Sequence, residues 1–185
     1  MTVSIEEVLR VQAEADCLWT SEQIHAAIDR IAADLTRDYA GRNPVLLVVM
    51  TGGMMFASEL MKRLDFPLSL DYVHASRYGT ALSGASMTWK VAPGASLEDR
   101  HVVIVDDILD EGNTLAALLR ACEAQGTASL ASVVLVDKVH DRKCAPDLKA
   151  GYTALTVPDR YVFGFGMDYK GYLRNLPGIH AVKGM

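Results

Sequence analysis

The sequence lacks the excess of positive charge that nucleic-acid-binding proteins usually carry. Its 185 residues include 18 Lys and Arg against 23 Asp and Glu, which gives a net charge of -5 at pH 7. The basic clusters Lys62-Arg63 and Arg142-Lys143 are each only two residues long. These counts exclude a mainly electrostatic nucleic-acid binder, so we predict no nucleic-acid partner.

Long hydrophobic runs are also missing. The longest apolar run, Pro44–Met50, is much shorter than the roughly 20 residues that a membrane-spanning helix needs. The first residues, MTVSIEEVLR, lack the basic segment followed by an apolar one that marks a signal peptide. We therefore predict no membrane partner and a cytoplasmic location.

Cysteine is scarce, and histidine forms no cluster. The three cysteines, Cys17, Cys122 and Cys144, are odd in number and widely spaced, which is typical of free thiols in a reducing compartment. The five histidines lie singly, without the spacing of metal ligands. This pattern favours neither a disulfide framework nor a zinc site.

The chain does have the composition of an ordinary globular protein, with 50% hydrophobic and 22% charged residues. Its length suits a single domain over residues 1–185. Helical and strand-like apolar patterns alternate, which predicts an α/β fold with a mostly parallel twisted sheet flanked by helices. The predicted helices are Ser21–Tyr39, Met54–Leu64 and Thr114–Gln125, and the predicted strands are Val45–Met50, Leu68–His74, Met87–Val91, His101–Val105, Ser132–Val136 and Val162–Phe165.

Two segments are less defined. Glu6–Leu18 is interpreted as a helix that covers the core or forms an interface, and Lys138–Thr156 is polar and has no assignment.

An acidic stretch, VIVDDILDEGNTL (Val103–Leu115), lies between a predicted buried strand and a predicted helix. Ligands of α/β sheets bind beyond the carboxyl ends of the strands, and the free N–H groups of a helix N-terminus attract anions without side-chain charge. Gly112 allows the chain to turn tightly, and Thr114 adds a hydroxyl. The stretch therefore predicts an anion site.

The acids of this stretch need a different partner. Adjacent Asp106 and Asp107 can accept hydrogen bonds from a pair of ribose hydroxyls or bind Mg²⁺ through water, and Asp110 can take or share a proton. A sugar phosphate supplies both an anion and hydroxyls, so we interpret the stretch as a sugar-phosphate site. The alternative is a solvated turn with a capping acid.

VIVDDILDEGNTL resembles the phosphoribosyl pyrophosphate signature of type I phosphoribosyltransferases, and other segments resemble the hypoxanthine–guanine branch over roughly Val45 to Val182. The resemblance implies a small hood region built from the N-terminal and C-terminal segments. It implies ribose hydroxyls on Asp106 and Asp107, and a base role for Asp110 at purine N7. It also implies small-molecule substrates and a homodimer or homotetramer. The 5′-phosphate would bind the segment of Asp110, Glu111, Gly112, Asn113 and Thr114.

Two loops resemble further parts of this family. Thr51-Gly52-Gly53 resembles its pyrophosphate loop, where relatives often carry lysine in place of Thr51, so backbone contacts would dominate. Arg77 and Tyr78 resemble its lid, which would exclude water from a reactive sugar cation.

The C-terminal half resembles the family's purine-and-metal region. By this resemblance Lys138 donates to the purine oxygen at position six, which favours hypoxanthine or guanine over adenine. Tyr161 would stack on the purine, and Val162 would offer backbone groups to its edge. Asp168 would stand beside the purine and hold Mg²⁺, and Arg174 would bind pyrophosphate.

Two positions of the acidic stretch depart from the family pattern. Relatives often place Thr where Glu111 stands and a basic residue where Asn113 stands. A carboxylate aimed at a phosphate would repel it. Our hypothesis is that Glu111 contributes its backbone N–H and turns its side chain to solvent.

Other interpretations stay open. Taken singly, Lys138 is a solvated lysine, Tyr161 a core aromatic, the Gly52-Gly53 pair a tight turn and the segment at Tyr78 an ordinary loop. The alternative functions are a relative that prefers xanthine or another base, and a regulator that binds phosphoribosyl pyrophosphate or nucleotide without catalysis.

Overall fold

The computed structural model describes residues 3–77 and 87–184. None of the helices in these two ranges is both long enough and apolar enough to cross a membrane. The helices are α1 (Ile5–Glu14), α2 (Ser21–Tyr39), α3 (Gly53–Met61) and α4 (Asn113–Glu123). The strands are β1 (Asp16–Trp19), β2 (Val45–Val49), β3 (Ser69–Arg77), β4 (Met87–Val91), β5 (His101–Leu109), β6 (Ser129–Val139), β7 (Tyr152–Pro158), β8 (Val162–Phe163) and β9 (Ile179–Ala181).

A six-stranded sheet with the order β4-β3-β2-β5-β6-β7 forms the centre of the fold. All neighbours in it are parallel except the antiparallel pair β3 and β4. Side chains alternate across it: Leu46 and Val48 pack with α2 and α3, whereas Leu47 and Val49 pack with α4. The prediction of a mostly parallel sheet between helices is confirmed.

Helix α2 has the predicted bounds because its signals are local. Thr20 and Gln23 form a reciprocal capping box at its start. Ile24, Ile28 and Leu35 share the buried face.

The N-terminal and C-terminal segments meet in a second, three-stranded antiparallel sheet with the order β1-β9-β8. The predicted helix Glu6–Leu18 is only partly right, since α1 ends at Glu14 and β1 follows. Val8 of α1 packs against Phe163 and Tyr169. The predicted strand Val162–Phe165 stops at Phe163, because Gly164 and Phe165 both have positive φ.

Two central strands are longer than predicted. β5 runs to Leu109 and therefore contains Asp106 and Asp107, which the sequence pattern predicts to lie in a loop. β6 runs to Val139 and contains Lys138, which the sequence pattern predicts to lie just past a strand. The unassigned segment Lys138–Thr156 also contains most of β7. The longer β5 and β6 bring these polar side chains to the carboxyl edge of the sheet.

Candidate active site

Most of the polar residues singled out in the sequence converge at the carboxyl edge of the parallel strands. Two neighbouring cavities of about 340 and 300 Å³ open there and share Asp107, Ile108, Asp110 and Asp168. The first is also lined by Thr51, Gly52, Asp106, Gly112, Thr114 and Arg174, and the second by Lys138, Tyr161, Val162 and Met167. An edge of this kind is where α/β sheets bind ligands.

The loop between β5 and α4 has the geometry of an anion site. Gly112 adopts φ 82°, and no described side chain caps the start of α4. A Cβ added at Gly112 would lie 2.3 Å from Leu148 Cδ2, so both the conformation and the space require glycine. The first N–H groups of α4 therefore remain available to an anion in the first cavity.

Lys143 supports this loop from behind and was missed in the sequence. Its Nζ donates to the carbonyl oxygens of Leu109 and Asp110 at 2.8 and 2.7 Å, and to Asp137 Oδ1 at 2.6 Å. The Cys144 N–H donates to the next carbonyl, that of Glu111, at 2.7 Å. No local motif signals this role, because it depends on how the segment after β6 folds back.

The side chains of Glu111 and Asn113, the two positions that depart from the family pattern, form a hydrogen bond with each other. Asn113 Nδ2 donates to Glu111 Oε2 at 3.0 Å, and Glu111 is half-buried rather than fully turned to solvent. Neither side chain is among the described residues that line the two cavities. The carboxylate of Glu111 thus has an amide partner outside the predicted phosphate position.

Three glycines bring the Thr51–Gly53 loop against the acidic strand. The peptide bond between Met50 and Thr51 is cis. A Cβ on Gly52 would lie 1.8 Å from Asp107 Oδ2, and one on Gly53 would lie 2.9 Å from the carbonyl oxygen of Val105. A Cβ on Gly166 would lie 2.2 Å from the Gly52 carbonyl oxygen. Side chains are therefore excluded where the loop, β5 and the C-terminal segment touch.

Asp106 and Asp107 are both buried, with 8% and 9% of their surfaces exposed. Burial and then the neighbouring charge of Asp107 raise the pKa of Asp106 well above its ordinary value. Burial also raises the pKa of Asp107, although the hydrogen bond with Asp106 and the charge of Arg174 oppose this. A cation or hydroxyl donors beside the pair would therefore stabilise its ionised form.

Asp168 and Arg174 form an ion pair beside this acid pair. Arg174 Nη2 lies 2.6 Å from Asp168 Oδ1, and Arg174 Nη1 donates to the Gly166 carbonyl at 2.5 Å. The Gly171 N–H donates to Asp168 Oδ2 at 2.6 Å. The guanidinium is thus held in the first cavity, in a position to bind a phosphate there.

Asp110 is the centre of a hydrogen-bonded group. Lys138 Nζ and His140 Nε2 each lie 2.7 Å from it, on Oδ2 and Oδ1 respectively. Burial raises the pKa of Asp110, but the hydrogen bonds from Lys138 and His140 outweigh burial and hold it below its ordinary value. His140 was missed, although alternation in an extended segment places residues 138 and 140 on one side.

Tyr161 and Val162 line the second cavity beside this group. Tyr161 is 42% exposed, and its ring meets that of Tyr169 edge to face, with the ring centroids 5.5 Å apart. An aromatic face that remains exposed in a cavity is available for stacking. Of the predicted lid, Tyr78 lies outside the described residues, and the backbone of Arg77 ends β3.

The described residues include no group of three His, Cys, Asp or Glu side chains that would hold a metal ion alone. Mg²⁺ commonly takes one or two carboxylates and completes its shell with water and substrate oxygens. Asp106, Asp107 and Asp168 all line the first cavity and provide such carboxylates. Their chemistry fits a Mg²⁺ ion that arrives with a phosphorylated substrate.

Known proteins resemble this chain over most of its length. A family model described as a phosphoribosyl transferase domain matches residues 20–170. The hypoxanthine-guanine phosphoribosyltransferase of Streptococcus pneumoniae is 37% identical over 168 residues, which is 90% of this chain and 92% of the relative. A solved hypoxanthine phosphoribosyltransferase from Staphylococcus aureus has a TM-score of 0.87 at 33% identity and covers 97% of each chain. A solved hypoxanthine-guanine-xanthine phosphoribosyltransferase has a TM-score of 0.83 at 35% identity, covering 91% of this chain and 96% of its own.

The raised pKa of Asp106 predicts a stability difference that depends on pH. Above the ordinary pKa the unfolded carboxyl loses its proton while the folded one keeps it, so stability is lost as pH rises toward the folded pKa. Asp106→Asn removes this loss and can still accept from the Asp107 N–H. In urea unfolding, its stability gain over the wild type should grow as the pH rises above the ordinary pKa of a carboxyl group.

The exposed Asp147→Asn variant controls for the loss of one negative charge. A gain for Asp106→Asn that shrinks as the pH rises would contradict the prediction.

Proposed function

Because the chain belongs to the phosphoribosyl transferase family, we propose that it converts hypoxanthine and guanine, with phosphoribosyl pyrophosphate, to nucleoside monophosphates and pyrophosphate. It is a purine salvage enzyme on this proposal. The observation that carries the proposal is the position of Asp110. It lines the first cavity together with the anion-binding loop, and its carboxylate accepts a hydrogen bond from Lys138 of the second cavity. A sugar phosphate and a base that carries an acceptor oxygen fit these two cavities.

The first cavity suits phosphoribosyl pyrophosphate. Its 5′-phosphate binds the backbone N–H groups of Asp110–Thr114, where the dipole of α4 adds positive potential. Its ribose hydroxyls donate to the buried acids Asp106 and Asp107. Its pyrophosphate contacts the backbone of the Thr51–Gly53 loop and the guanidinium of Arg174.

The second cavity suits a 6-oxopurine. Lys138 donates to the oxygen at position six, whereas adenine presents there an amino group that cannot accept a hydrogen bond from the ammonium. Tyr161 stacks on the ring, and Val162 lies at its edge.

Transfer requires the glycosidic carbon to lose pyrophosphate and gain purine nitrogen N9. Positive charge develops on the ribose at C1′ as pyrophosphate leaves, and N9 attacks from the opposite face. Asp110 accepts the proton at N7 or hydrogen-bonds there, which increases the electron density at N9. Its lowered pKa keeps the carboxylate ionised and able to accept.

We propose Mg²⁺ as the cofactor. Asp106, Asp107 and Asp168 would hold it, largely through water and substrate oxygens. Bound there, the ion supplies charge neutralisation to the departing pyrophosphate.

We also propose that the protein is a homodimer or homotetramer. Met54, Leu70 and Tyr72 are exposed around an apolar cavity of about 350 Å³ between α3 and β3. Exposed apolar patches of this kind mark association surfaces in soluble proteins.

Light scattering should therefore give the mass of a dimer or tetramer for the wild type. Leu70→Glu should shift the mass toward the monomer, because it places a charge within the patch. Leu9→Glu is the matched control, since Leu9 is equally exposed on α1. A monomeric wild type would rule out the proposal.

A turnover assay with phosphoribosyl pyrophosphate and each purine in turn tests the function. We expect product with hypoxanthine and guanine, little or none with adenine, and no product with any base once EDTA removes Mg²⁺. Preference for xanthine would select the alternative substrate, which one structural relative includes in its name. Phosphoribosyl pyrophosphate binding without product from any base would instead indicate a non-catalytic regulator.

Asp110→Asn tests the assignment of the base. The amide is close in size but cannot accept a proton, so we expect kcat to fall by about 10²- to 10⁴-fold with KM largely unchanged. Steady-state kinetics with both substrates measures this split. Near-normal kcat would refute the role of Asp110.

A further inference from the structure

Within the proposed function, on which this inference rests, we propose that His140 is a positioning residue for Asp110. The imidazole holds Oδ1 of the carboxylate, so that Oδ2 stays directed at the purine when Lys138 engages the purine oxygen. His140 does not line either cavity among the described residues, and it therefore acts through Asp110 rather than on substrate.

The hydrogen bonds around the ring determine which nitrogen carries the proton. The backbone N–H of Arg142 donates to His140 Nδ1 at 2.9 Å, so Nδ1 is an acceptor and carries no hydrogen. Nε2 must then carry the hydrogen, and it lies 2.7 Å from Asp110 Oδ1. The neutral ring thus donates to the carboxylate in one defined tautomer.

The ring is fixed before any substrate arrives. Only 3% of the His140 side chain is exposed, against 38% of the Asp110 side chain. The segment that carries it is held on both sides, by the Arg142–Asp159 ion pair and by the bonds of Lys143 to the end of β5. Reorientation of His140 would require this segment to detach from the sheet edge.

Lys138 cannot provide the same restraint throughout the reaction. Its ammonium bonds Asp110 Oδ2 in the present structure, yet the proposed function also requires it at the purine oxygen. A carboxylate held by Lys138 alone would be free to rotate when the lysine changes partner. His140 retains Oδ1, so Oδ2 becomes available to N7 without loss of alignment, and alignment of this kind contributes strongly to rate.

Two substitutions separate the roles of the two ring nitrogens. Gln places its Nε2 near the position of the histidine Nε2 and can still donate to Asp110, but it lacks an acceptor for the Arg142 N–H. Asn places its Oδ1 near the position of the histidine Nδ1 and keeps that acceptor, but it is too short to reach Asp110. Each variant therefore retains the contact that the other loses.

We expect His140→Asn to lower kcat by about ten- to a hundredfold, the effect of losing one hydrogen bond to a charged group, with little change in either KM. His140→Gln should keep kcat close to that of the wild type. Thermal unfolding of both variants is measured in parallel. Wild-type turnover in His140→Asn, or an equal loss in both variants, would overturn the proposal and leave His140 with a purely structural role.

A measurement on the unmodified enzyme covers the case in which a variant fails to fold. The ¹⁵N shifts of the labelled His140 ring should show a protonated Nε2 and an unprotonated Nδ1. The opposite tautomer would overturn the proposal. Asp110→Asn serves as the reference: if it turns over normally, the base role itself fails, whereas an inactive Asp110→Asn with a normal His140→Asn refutes only this inference.

Discussion

The register between β5 and β6 is the constraint on which the site depends. Leu109 pairs with Asp137 at the end of this parallel ladder, so the next residues, Asp110 and Lys138, stand side by side just beyond the last β5–β6 pair. The register is set upstream, where the two strands are buried on both faces over Val102–Val105 and Val133–Val136. A slip of one residue would send each of these side chains to the opposite face. Packing of β5 and β6 in the core therefore determines how Asp110 and Lys138 are placed at the carboxyl edge of the sheet.

The same edge concentrates negative charge, although its proposed substrate is an anion. On the proposed function, backbone N–H groups, the α4 dipole and Arg174 would attract the anion. The acids would instead bind the ribose hydroxyls, the cation and the purine. This division leaves Asp106 and Asp107 buried against each other in the free protein, with raised pKa values. On the proposed function, the ribose hydroxyls and the cation would provide the partners that these two carboxylates lack.

Local signals in the sequence predicted the elements that depend on neighbours along the chain. The capping box at Thr20 and the apolar face of α2 are examples, and both are present. Asp106 and Asp107 misled the assignment of β5, because two adjacent acids contradict the pattern of a buried strand. β1 and β9 are short and exist only because the ends of the chain meet, and β7 follows an irregular polar segment. The acidic stretch and the family resemblance identified the acids and Lys138 from the sequence. His140 and Lys143 were missed because they act through contacts between segments that are distant in the sequence.

The segment after β6 explains how the loop presents its N–H groups without a basic side chain in front of it. Three consecutive carbonyl oxygens, those of Leu109, Asp110 and Glu111, accept from Lys143 Nζ and the Cys144 N–H. In a trans peptide the N–H points opposite to the carbonyl oxygen of the same unit. The N–H groups of Asp110, Glu111 and Gly112 therefore point away from the oxygens that Lys143 and Cys144 occupy. By occupying the carbonyls, Lys143 orients the donors and adds positive charge behind them, while His140, in the same segment, holds the Asp110 carboxylate. The segment after β6 folds back against the end of β5 and thus positions both the proposed anion site and the proposed base.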